Sequence, residues 1–236
     1  MKTTILQPTY FPWLGYFEMI DACEQYVIFD HVQFEPKSWQ QRNRIRGPNG
    51  EIMLTVPVLS DGTQDVRICD KRIDHKQPWA RKHLKSIEIS YRKAPFFEEQ
   101  FDPLKAILER GHERLADMTI ELIKHFLGVL GISPRILRSS ELPLDDARLG
   151  KAEKVVHLCR AVGATVLYDG AVAKDFLDPA EFGRHGTSLV FQEYRHPVYP
   201  QQGTTFLPYM GIVDLIFNCR EGARAIMRSG AVGRRS

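Results

Sequence analysis

The stretch that decides the fold reads TTILQPTYFPWLGYFEMIDACEQYVIFD and covers residues 3–30. Residues 3–6 are a short apolar run that Gln7-Pro8 ends, which predicts a buried strand. Apolar side chains then recur at helical spacing over 14–23, after the start signal Pro12, and predict a helix. A second apolar run at 26–29 predicts another strand, which ends at Asp30. Strand, turn, helix and strand in this order are typical of a βαβ unit, so we expect a parallel sheet.

The remaining chain continues this alternation. Further strands are predicted at 52–58, 136–138, 165–168 and 189–192, and further helices at 79–91, 101–110, 115–130, 151–162 and from 212. The fold class is therefore α/β, an open, mostly parallel, Rossmann-like sheet flanked by helices, with a helical C-terminal part. We expect one domain over 1–228, within which 79–160 could be a helical subdomain, and a flexible basic tail at 229–236.

Composition excludes several classes of protein. The 236 residues carry 32 basic and 29 acidic side chains, a balance that argues against nucleic acid as the main partner. No signal peptide and no apolar run of about 18 residues is found, so we expect a cytoplasmic protein without membrane insertion. The four cysteines lie far apart, which predicts free thiols and no metal site. Signatures of P-loop, dinucleotide-binding, α/β-hydrolase and zinc-hydrolase proteins are absent.

The first candidate binding segment is residues 7–17, which we call the aromatic turn. It follows the carboxyl end of the first predicted strand, where open parallel sheets bind ligands. Two prolines stiffen it, and Gly15 permits close approach of a ligand or of neighbouring backbone. The residues expected to bind substrate here are Gln7, Tyr10, Trp13 and Gly15. The alternative is that the aromatic rings only pack the edge of the sheet.

The second segment begins at Asp30, which ends the next predicted strand and is expected across the crevice from Gln7 as a catalytic carboxylate. Residues 37–46, the basic stretch, combine four cations with amide side chains. Because a guanidinium binds phosphate or carboxylate through two parallel hydrogen bonds, we expect an anionic group to bind here. The candidate binding residues are Gln33, Lys37, Trp39, Arg42 and Asn43. The alternative is a solvated basic loop.

The third segment, residues 196–203, is the late loop, in which two prolines exclude regular structure. His196 titrates near neutrality and is the candidate general base, oriented by Tyr199, with Gln201 as a substrate-binding residue. Asp169 follows another predicted strand and is also a candidate for substrate binding. A structural histidine and ordinary Asp-Gly turn chemistry are the alternatives at these positions.

Three groups of residues carry a resemblance to a known family. They are the motif Gln7-Pro8-x-Tyr10-x-Pro12-Trp13-x-Gly15-Tyr16-Phe17, the elements Asp30-x-x-Gln33-Phe34 and Trp39-x-x-Arg42-Asn43, and the motif His196-Pro197-x-Tyr199-x-Gln201. In these the chain resembles the WbqC-like family. The family often has Ser-Gly where this chain has Asp169-Gly170, and a serine in the stretch read here as Met210-Gly211-Ile212-Val213-Asp214. The departures leave the roles of Asp169 and Asp214 open, and they allow for a subfamily with a different acceptor.

The resemblance implies bacterial O-antigen, lipopolysaccharide or other surface polysaccharide biosynthesis, or secondary metabolism. We therefore interpret the chain as a transferase that moves an acyl or aminoacyl (glycine-type) group to an amino-sugar or related amine. An ATP-dependent amide ligase and a non-catalytic nucleotide-sugar binding protein are the alternatives. The donor, whether acyl-CoA, an aminoacyl donor or ATP, is not identified. The expected partner is a small molecule, a sugar nucleotide or an amine, and the oligomeric state is not predicted.

The predicted layout is also similar to that of the HxGH nucleotidylyltransferases, and of pantothenate synthetase in particular. In those enzymes a histidine pair binds the ATP phosphates, whereas aromatic residues stand at the equivalent place here. If the layout is shared, Lys37, Arg42 or Arg44 must hold the phosphates, or ATP is not used.

Overall fold

The computed structural model describes residues 1–60 and 65–232. Strands and helices alternate along the chain. In chain order they are β1 (Lys2–Leu6), α1 (Leu14–Asp21), β2 (Gln25–Ile28), β3 (Arg42–Gly47), β4 (Gly50–Thr55), α2 (Trp79–Tyr91), α3 (Phe97–Leu108), α4 (Leu115–Leu130), β5 (Arg135–Arg138), α5 (Lys151–Ala161), β6 (Val166–Asp169), α6 (Pro179–Arg184), β7 (Ser188–Phe191), α7 (Ile212–Cys219) and α8 (Ala223–Ser229). The α/β class predicted from the sequence is confirmed.

The main sheet has five parallel strands in the order β5-β2-β1-β6-β7. Numbered by their order among these strands, they run 3-2-1-4-5, the arrangement of a doubly wound, Rossmann-like sheet. The connections reverse direction between β1 and β6. The carboxyl ends of the strands, where ligands bind in such sheets, carry Gln7 after β1, Asp30 after β2 and Asp169 at the end of β6.

The sheet separates two hydrophobic cores. Tyr26 and Ile28 of β2 point into the larger core with α1 to α4, α7 and α8, whereas Val27 and Phe29 point into the smaller core with α5 and α6. Alternate residues of a strand face opposite sides, so a strand buried on both sides reads as a continuous apolar run. This is why residues 26–29 were recognisable from the sequence alone.

One predicted strand belongs to a different sheet. The strand expected at 52–58 is β4, and it pairs antiparallel with β3 in a separate hairpin, from Arg42↔Thr55 to Gly47↔Gly50. Residues Gly47-Pro48-Asn49-Gly50 form the turn of the hairpin, and its first arm lies within the basic stretch, where the sequence predicts no strand. Its Arg-Asn-Arg sequence lacks the β-branched residues that mark strands, and pairing with β4 outweighs that weak local preference.

The other helix boundaries agree closely with those predicted from the sequence. Helices at 79–91 and 115–130 are confirmed, and α4 ends at Gly131 in the left-handed conformation. The helix expected at 101–110 begins earlier, at Phe97. The span 79–160 includes β5, which pairs with β2 in the main sheet, so its treatment as a helical subdomain stays a prediction.

The predicted tail at 229–236 is only partly described. Residues 229–232 are attached to the body of the protein, because the N–H of Arg195 donates to the carbonyl of Gly230 and the N–H of Val232 donates to that of Glu193. Residues 233–236 lie outside the described part of the chain. Among the helices that are described, none combines the length and apolar character needed to cross a bilayer.

Candidate functional site

A cavity of about 240 Å³ opens beside the carboxyl end of β1, and we call it the aromatic cavity. Two of its walls are segments singled out from the sequence. The aromatic turn contributes Pro12, Trp13 and Tyr16, the basic stretch contributes Trp39, Asn43 and Arg44, and the loop before α7 adds Tyr209. Apolar walls with a few polar groups are typical of small-molecule sites, and this volume suits one ring-sized group.

Trp13 forms one wall of the cavity, and contacts with Gly211 and Tyr194 fix its position. It pairs with Gly211 through an isolated β-bridge, and its indole packs edge-on against the Tyr194 ring with 5.5 Å between centroids. The indole also covers Gly15, where an added methyl group would overlap the ring atoms of Trp13. The sequence predicts the approach of a ligand or of backbone at Gly15, whereas the structure places the Trp13 side chain there, and Gly15 is not among the residues that line the cavity.

The opposite wall is fixed to the first by hydrogen bonds. Asn43 Nδ2 donates to the carbonyl of Phe11 at 2.8 Å, and the N–H of Tyr10 donates to the carbonyl of Trp39 at 3.0 Å. The guanidinium of Arg44 lies 5.5 Å from the centre of the Trp39 ring and pairs with Glu51 at 3.1 Å. The cavity thus has a cation at its edge and a largely preformed shape.

Backbone strain is concentrated around this cavity. Among the described residues, the non-glycine positions with positive φ are Phe11 at 47°, Lys37 at 59° and Tyr209 at 61°. Each lies in one of the three segments that form the walls. Such conformations cost about 1–3 kcal/mol each and tend to occur at functional sites. The strain therefore supports a functional interpretation of the cavity.

His196 lies behind the aromatic cavity. Its ring stacks on Trp13, with 6.4 Å between centroids and 15° between planes, and contacts the Tyr209 ring at 4.9 Å. Nδ1 contacts the carbonyl of Pro197 at 2.9 Å; a carbonyl only accepts, so Nδ1 carries the proton. Nε2 is buried and has no hydrogen-bond partner among the residues that the structure describes. Because burial lowers the imidazole pKa, the ring is neutral at pH 7 and Nε2 offers a free lone pair.

The sequence predicts that Tyr199 orients His196. In the structure the Tyr199 hydroxyl does not bind His196. The hydroxyl donates to Asp214 Oδ2 at 2.8 Å, and only a ring contact of 6.0 Å between centroids joins Tyr199 to His196. Gln201 Nε2 also donates to Asp214 Oδ2, at 2.7 Å, and to the carbonyl of Leu207 at 2.9 Å. Tyr199 and Gln201 therefore fasten the late loop to α7. The polar atoms that form these bonds are not available to a ligand in the cavity.

Asp214 is the centre of this network and is fully buried. The Tyr91 hydroxyl donates to its Oδ1 at 2.9 Å, which adds a third donor. Burial raises the pKa of the carboxyl above its usual value, although the hydrogen bonds from Tyr199, Tyr91 and Gln201 and the charge of Arg46 oppose the shift. Three donors to one carboxylate indicate that Asp214 is present in the ionised form.

Asp30 faces β5 rather than Gln7, which corrects the expected position. Its carboxylate is fully buried, forms an ion pair with Arg138 and accepts hydrogen bonds from the hydroxyl and N–H of Ser140 at 2.9 and 3.0 Å. It does not line the aromatic cavity. The bonds from Arg138 and Ser140 to the Asp30 carboxylate hold the ends of β2 and β5 together.

A second cavity lies over these strand ends, and we call it the carboxyl-edge cavity. Its volume is about 600 Å³, and its wall includes His31, Gln33, Arg67, Ser139, Asp146 and Lys154. Gln33 therefore belongs here and not to the aromatic cavity. In the described part of the chain, no group of three or more His, Cys, Asp or Glu residues is placed to hold a metal ion.

The other candidates from the aromatic turn are committed to internal contacts. Gln7 Oε1 accepts from Gln40 Nε2 at 3.0 Å. Tyr10 is fully buried, and its hydroxyl lies 2.9 Å from Nδ1 of His83. Tyr10 therefore belongs to the core, as in the packing alternative, whereas Gln7 supports the wall from the side of the sheet.

The remaining candidates lie apart from one another. The Lys37 side chain is exposed, and its N–H donates to Gln41 Oε1 at 3.1 Å. Arg42 Nε is buried without a partner. Asp169 accepts from the N–H of Gly170 at 2.7 Å, and burial raises its pKa to about 6. Lys37, Arg42 and Asp169 are not among the residues that line the aromatic cavity.

Sequence reasoning missed contributors to both cavities, among them Tyr209 and Ser139. Tyr209 lines the aromatic cavity, and the available signal was an aromatic residue after Pro208 in a loop that leads into a helix. Ser139 lines the carboxyl-edge cavity, and the signal was its position directly after the strand at 135–138. Both signals become specific only when the neighbouring segments are known.

Comparisons with known proteins identify one family and one similar protein. The sequence profile described as the WbqC-like protein family matches residues 7–226. The chain is also similar to Uncharacterized protein Rv1507c of Mycobacterium tuberculosis (strain ATCC 25618 / H37Rv), with 33% identity over 219 residues, which covers 92% of this chain and 93% of the relative. No solved structure matches the chain significantly. The name of this relative states no activity.

Proposed function

The chain belongs to the WbqC-like protein family, and from that premise and the geometry of the aromatic cavity we propose that it is a transferase. The proposed reaction moves an acyl or aminoacyl group to the amine of an amino-sugar or a related acceptor. The proposed setting is bacterial surface polysaccharide or secondary metabolite biosynthesis. The observation that carries the proposal is that the aromatic turn and the basic stretch line one cavity.

The shape and chemistry of this cavity favour a sugar ring. The rings of Trp13 and Trp39 offer flat apolar surfaces, on which the C–H face of a pyranose can stack. Asn43 lines the same space; its Nδ2 donates to Phe11 and its Oδ1 accepts from the Arg44 N–H, so only its second amide hydrogen and second lone pair are left for a hydroxyl group. Arg44 stands at the edge and can bind the phosphate of an activated sugar. The volume of about 240 Å³ holds the ring, with the rest of the acceptor outside.

His196 supplies the base in this proposal. Its Nε2 carries a lone pair without a partner, so it can take a proton from an amine as the nitrogen attacks the acyl carbonyl. The new bond joins nitrogen to the carbonyl carbon, the bond to the donor's leaving group breaks, and the proton passes from Nε2 to that group. Tyr209 lines the cavity, contacts the His196 ring at 4.9 Å between centroids and is 48% exposed, and in this proposal it turns aside to admit the amine to Nε2.

Acceptor binding and group transfer can be tested separately. Titration with a UDP- or dTDP-linked amino-sugar should quench tryptophan fluorescence, and Trp13→Ala and Trp39→Ala should each weaken binding by about tenfold or more. Mass spectrometry should then show a mass gain of the acceptor with one donor out of acyl-CoA, glycine with ATP, or aminoacyl-tRNA. Release of AMP or ADP in the glycine reaction would identify an amide ligase instead.

A pair of histidine variants tests the base. His196→Gln should lower turnover by about a hundredfold or more while acceptor binding is kept. The control His185→Gln changes an exposed histidine at the end of α6 and should leave turnover unchanged. Full turnover of His196→Gln would refute the assignment of the base. Acceptor binding without any product from the three donors would indicate a binding protein.

A further inference from the structure

A second chemically organised group lies at the carboxyl-edge cavity, away from the residues used above. His31 Nδ1 is 2.7 Å from the hydroxyl oxygen of Ser139, and His31 Nε2 is 2.8 Å from Oδ2 of Asp146. All three side chains are among the residues that line the cavity of about 600 Å³. Hydroxyl, imidazole and carboxylate in this order form the arrangement that activates a serine towards acyl groups, and it is recognised by geometry rather than by position in the sequence.

The hydrogen bonds define how the protons are arranged. A carboxylate only accepts, so His31 donates from Nε2 to Asp146, which leaves Nδ1 as the acceptor for the Ser139 hydroxyl. Asp146 is buried and His31 nearly so, with 7% and 10% of their side chains exposed. The imidazole is therefore held in one orientation, and its tautomer is the one that a general base for Ser139 requires.

The surroundings of Ser139 also favour a developing alkoxide. Its oxygen accepts from the N–H of Asp30 at 3.0 Å and of His31 at 3.4 Å, and donors to the charged form lower the energy of an alkoxide. The Ser139 hydroxyl also donates to the Asp30 carboxylate at 3.2 Å, and that carboxylate pairs with Arg138. The contact of Ser139 with His31 Nδ1 is 0.5 Å shorter than this hydrogen bond, so in the proposed step the hydroxyl turns from Asp30 to His31.

We propose that Ser139, His31 and Asp146 form a nucleophilic site that takes an acyl group from an ester or thioester bound in the carboxyl-edge cavity. Ser139 Oγ attacks the acyl carbonyl carbon while its proton moves to His31 Nδ1. The bond from that carbon to the alcohol or thiol breaks, the departing group takes the proton from His31, and the acyl group remains as an ester on Ser139. Arg67 and Lys154 line the same cavity, together with the carboxylates of Asp65 and Asp145.

This site is independent of the aromatic cavity, and its failure would leave the proposed acceptor site untouched. The competing explanation is that His31 only ties the loop at 142–150 to the end of β5. A purely structural bridge keeps Ser139 unreactive, whereas a nucleophilic site forms a covalent adduct at that residue. Ser139 has 1% of its surface exposed, so the attack geometry is available only through the cavity.

Covalent labelling of the full-length protein decides between the two. The probes are a fluorophosphonate and p-nitrophenyl acetate, with intact-mass spectrometry to count adducts and peptide mapping to locate them. We expect one adduct per chain, located at Ser139. Because mapping uses the unaltered protein, the result does not depend on whether a variant folds. Absence of an adduct, or an adduct located elsewhere, would overturn the proposal.

Variants then test the roles of the three residues. Ser139→Ala should abolish labelling, whereas Ser229→Ala, a control at an exposed serine at the end of α8, should retain it. His31→Gln should slow labelling by about a hundredfold or more, and the positioning variant Asp146→Asn should also slow it, at unchanged melting temperature. Labelling of His31→Gln at the rate of the unaltered protein would show that the imidazole is not the base.

Discussion

The hydroxyl of Tyr199 donates to Oδ2 of Asp214 over 2.8 Å, and this bond fastens the late loop to the first turn of α7. Tyr91 of α2 binds the other carboxylate oxygen, so one buried charge joins three segments that are distant in sequence. The N–H of Arg46 in turn donates to the Tyr91 hydroxyl at 2.9 Å, which extends the network to β3. The position of His196 and of one cavity wall thus depends on a residue outside both.

We predict that Asp214→Asn lowers the free energy of unfolding by about 3 kcal/mol, because an amide nitrogen meets donors where an oxygen accepted them. Chemical denaturation at pH 7 measures the change. Asp178→Asn is the control: Asp178 is exposed and caps α6 through its Oδ1, and asparagine caps equally well, so the change should stay within about 0.5 kcal/mol. Equal stability of both variants would contradict the importance of the buried charge.

Gly15→Ala should weaken acceptor binding in the aromatic cavity without contacting the acceptor. The added methyl group overlaps the Trp13 indole, which must move and thereby change the wall of the cavity. Fluorescence titration measures binding, and the expected loss is about tenfold or more.

Gly128→Ala is the matched control for that substitution. Gly128 lies in the exposed part of α4 with no atom within 4 Å of the added methyl group, so alanine should stabilise the helix by about 0.5–1 kcal/mol and leave binding unchanged. Unaltered binding in Gly15→Ala would show that the indole position does not matter.

His83 should make the protein less stable in acid. Burial lowers its pKa from 6.5 to about 4, with an opposing contribution from the backbone of Thr55. The unfolded chain therefore binds a proton first, and stability present above pH 6.5 is lost as the pH falls towards 4. The loss amounts to about 3 kcal/mol.

Denaturation of His83→Gln between pH 4 and 7 tests this, since glutamine can still accept from the Tyr10 hydroxyl but does not titrate. The stability difference between the two proteins should be largest at pH 7 and should shrink as the pH falls. Parallel pH curves for the two proteins would contradict the assignment.

Asp169 should act in the opposite direction. Burial raises its pKa from 3.8 to about 6, with smaller lowering contributions from the Gly170 N–H and from Lys151. The folded state holds the proton longer, so stability present below pH 3.8 is lost as the pH rises towards 6. Asp169→Asn should remove this loss and make the protein about 1–2 kcal/mol more stable at pH 7, after allowance for partial solvent contact. A less stable variant at pH 7 would contradict the prediction.

The sheet was predictable because its strands have recognisable local sequence patterns. Residues 26–29 are buried on both sides and read as an apolar run, residues 3–6 predict a short strand that Gln7-Pro8 ends, and the helix between them favours a parallel pairing. The hairpin was half missed, since Arg42 and Arg44 occupy a strand that is decided by pairing with residues 53 and 55 rather than by their own preference.

The candidate site was predictable only in outline. Rigid segments at strand ends converge in a parallel sheet, which is why Trp13 and Trp39 could be expected near one cavity. The partner of an individual polar group could not be expected, since it depends on packing between remote segments. Tyr199 binds Asp214, and His31 binds Asp146 at a separation of 115 residues; no local pattern predicts either pair.

The pairing of β1 with β6 has a consequence for biosynthesis. The N–H of Thr165 donates to the carbonyl of Met1, across 164 positions of sequence. When the first βαβ unit leaves the ribosome, β6 has not yet been translated. One edge of β1 therefore has no strand to form hydrogen bonds with at that stage. Chains truncated before residue 166 retain that open edge, so they should aggregate, and the complete sheet can close only after most of the polypeptide has emerged.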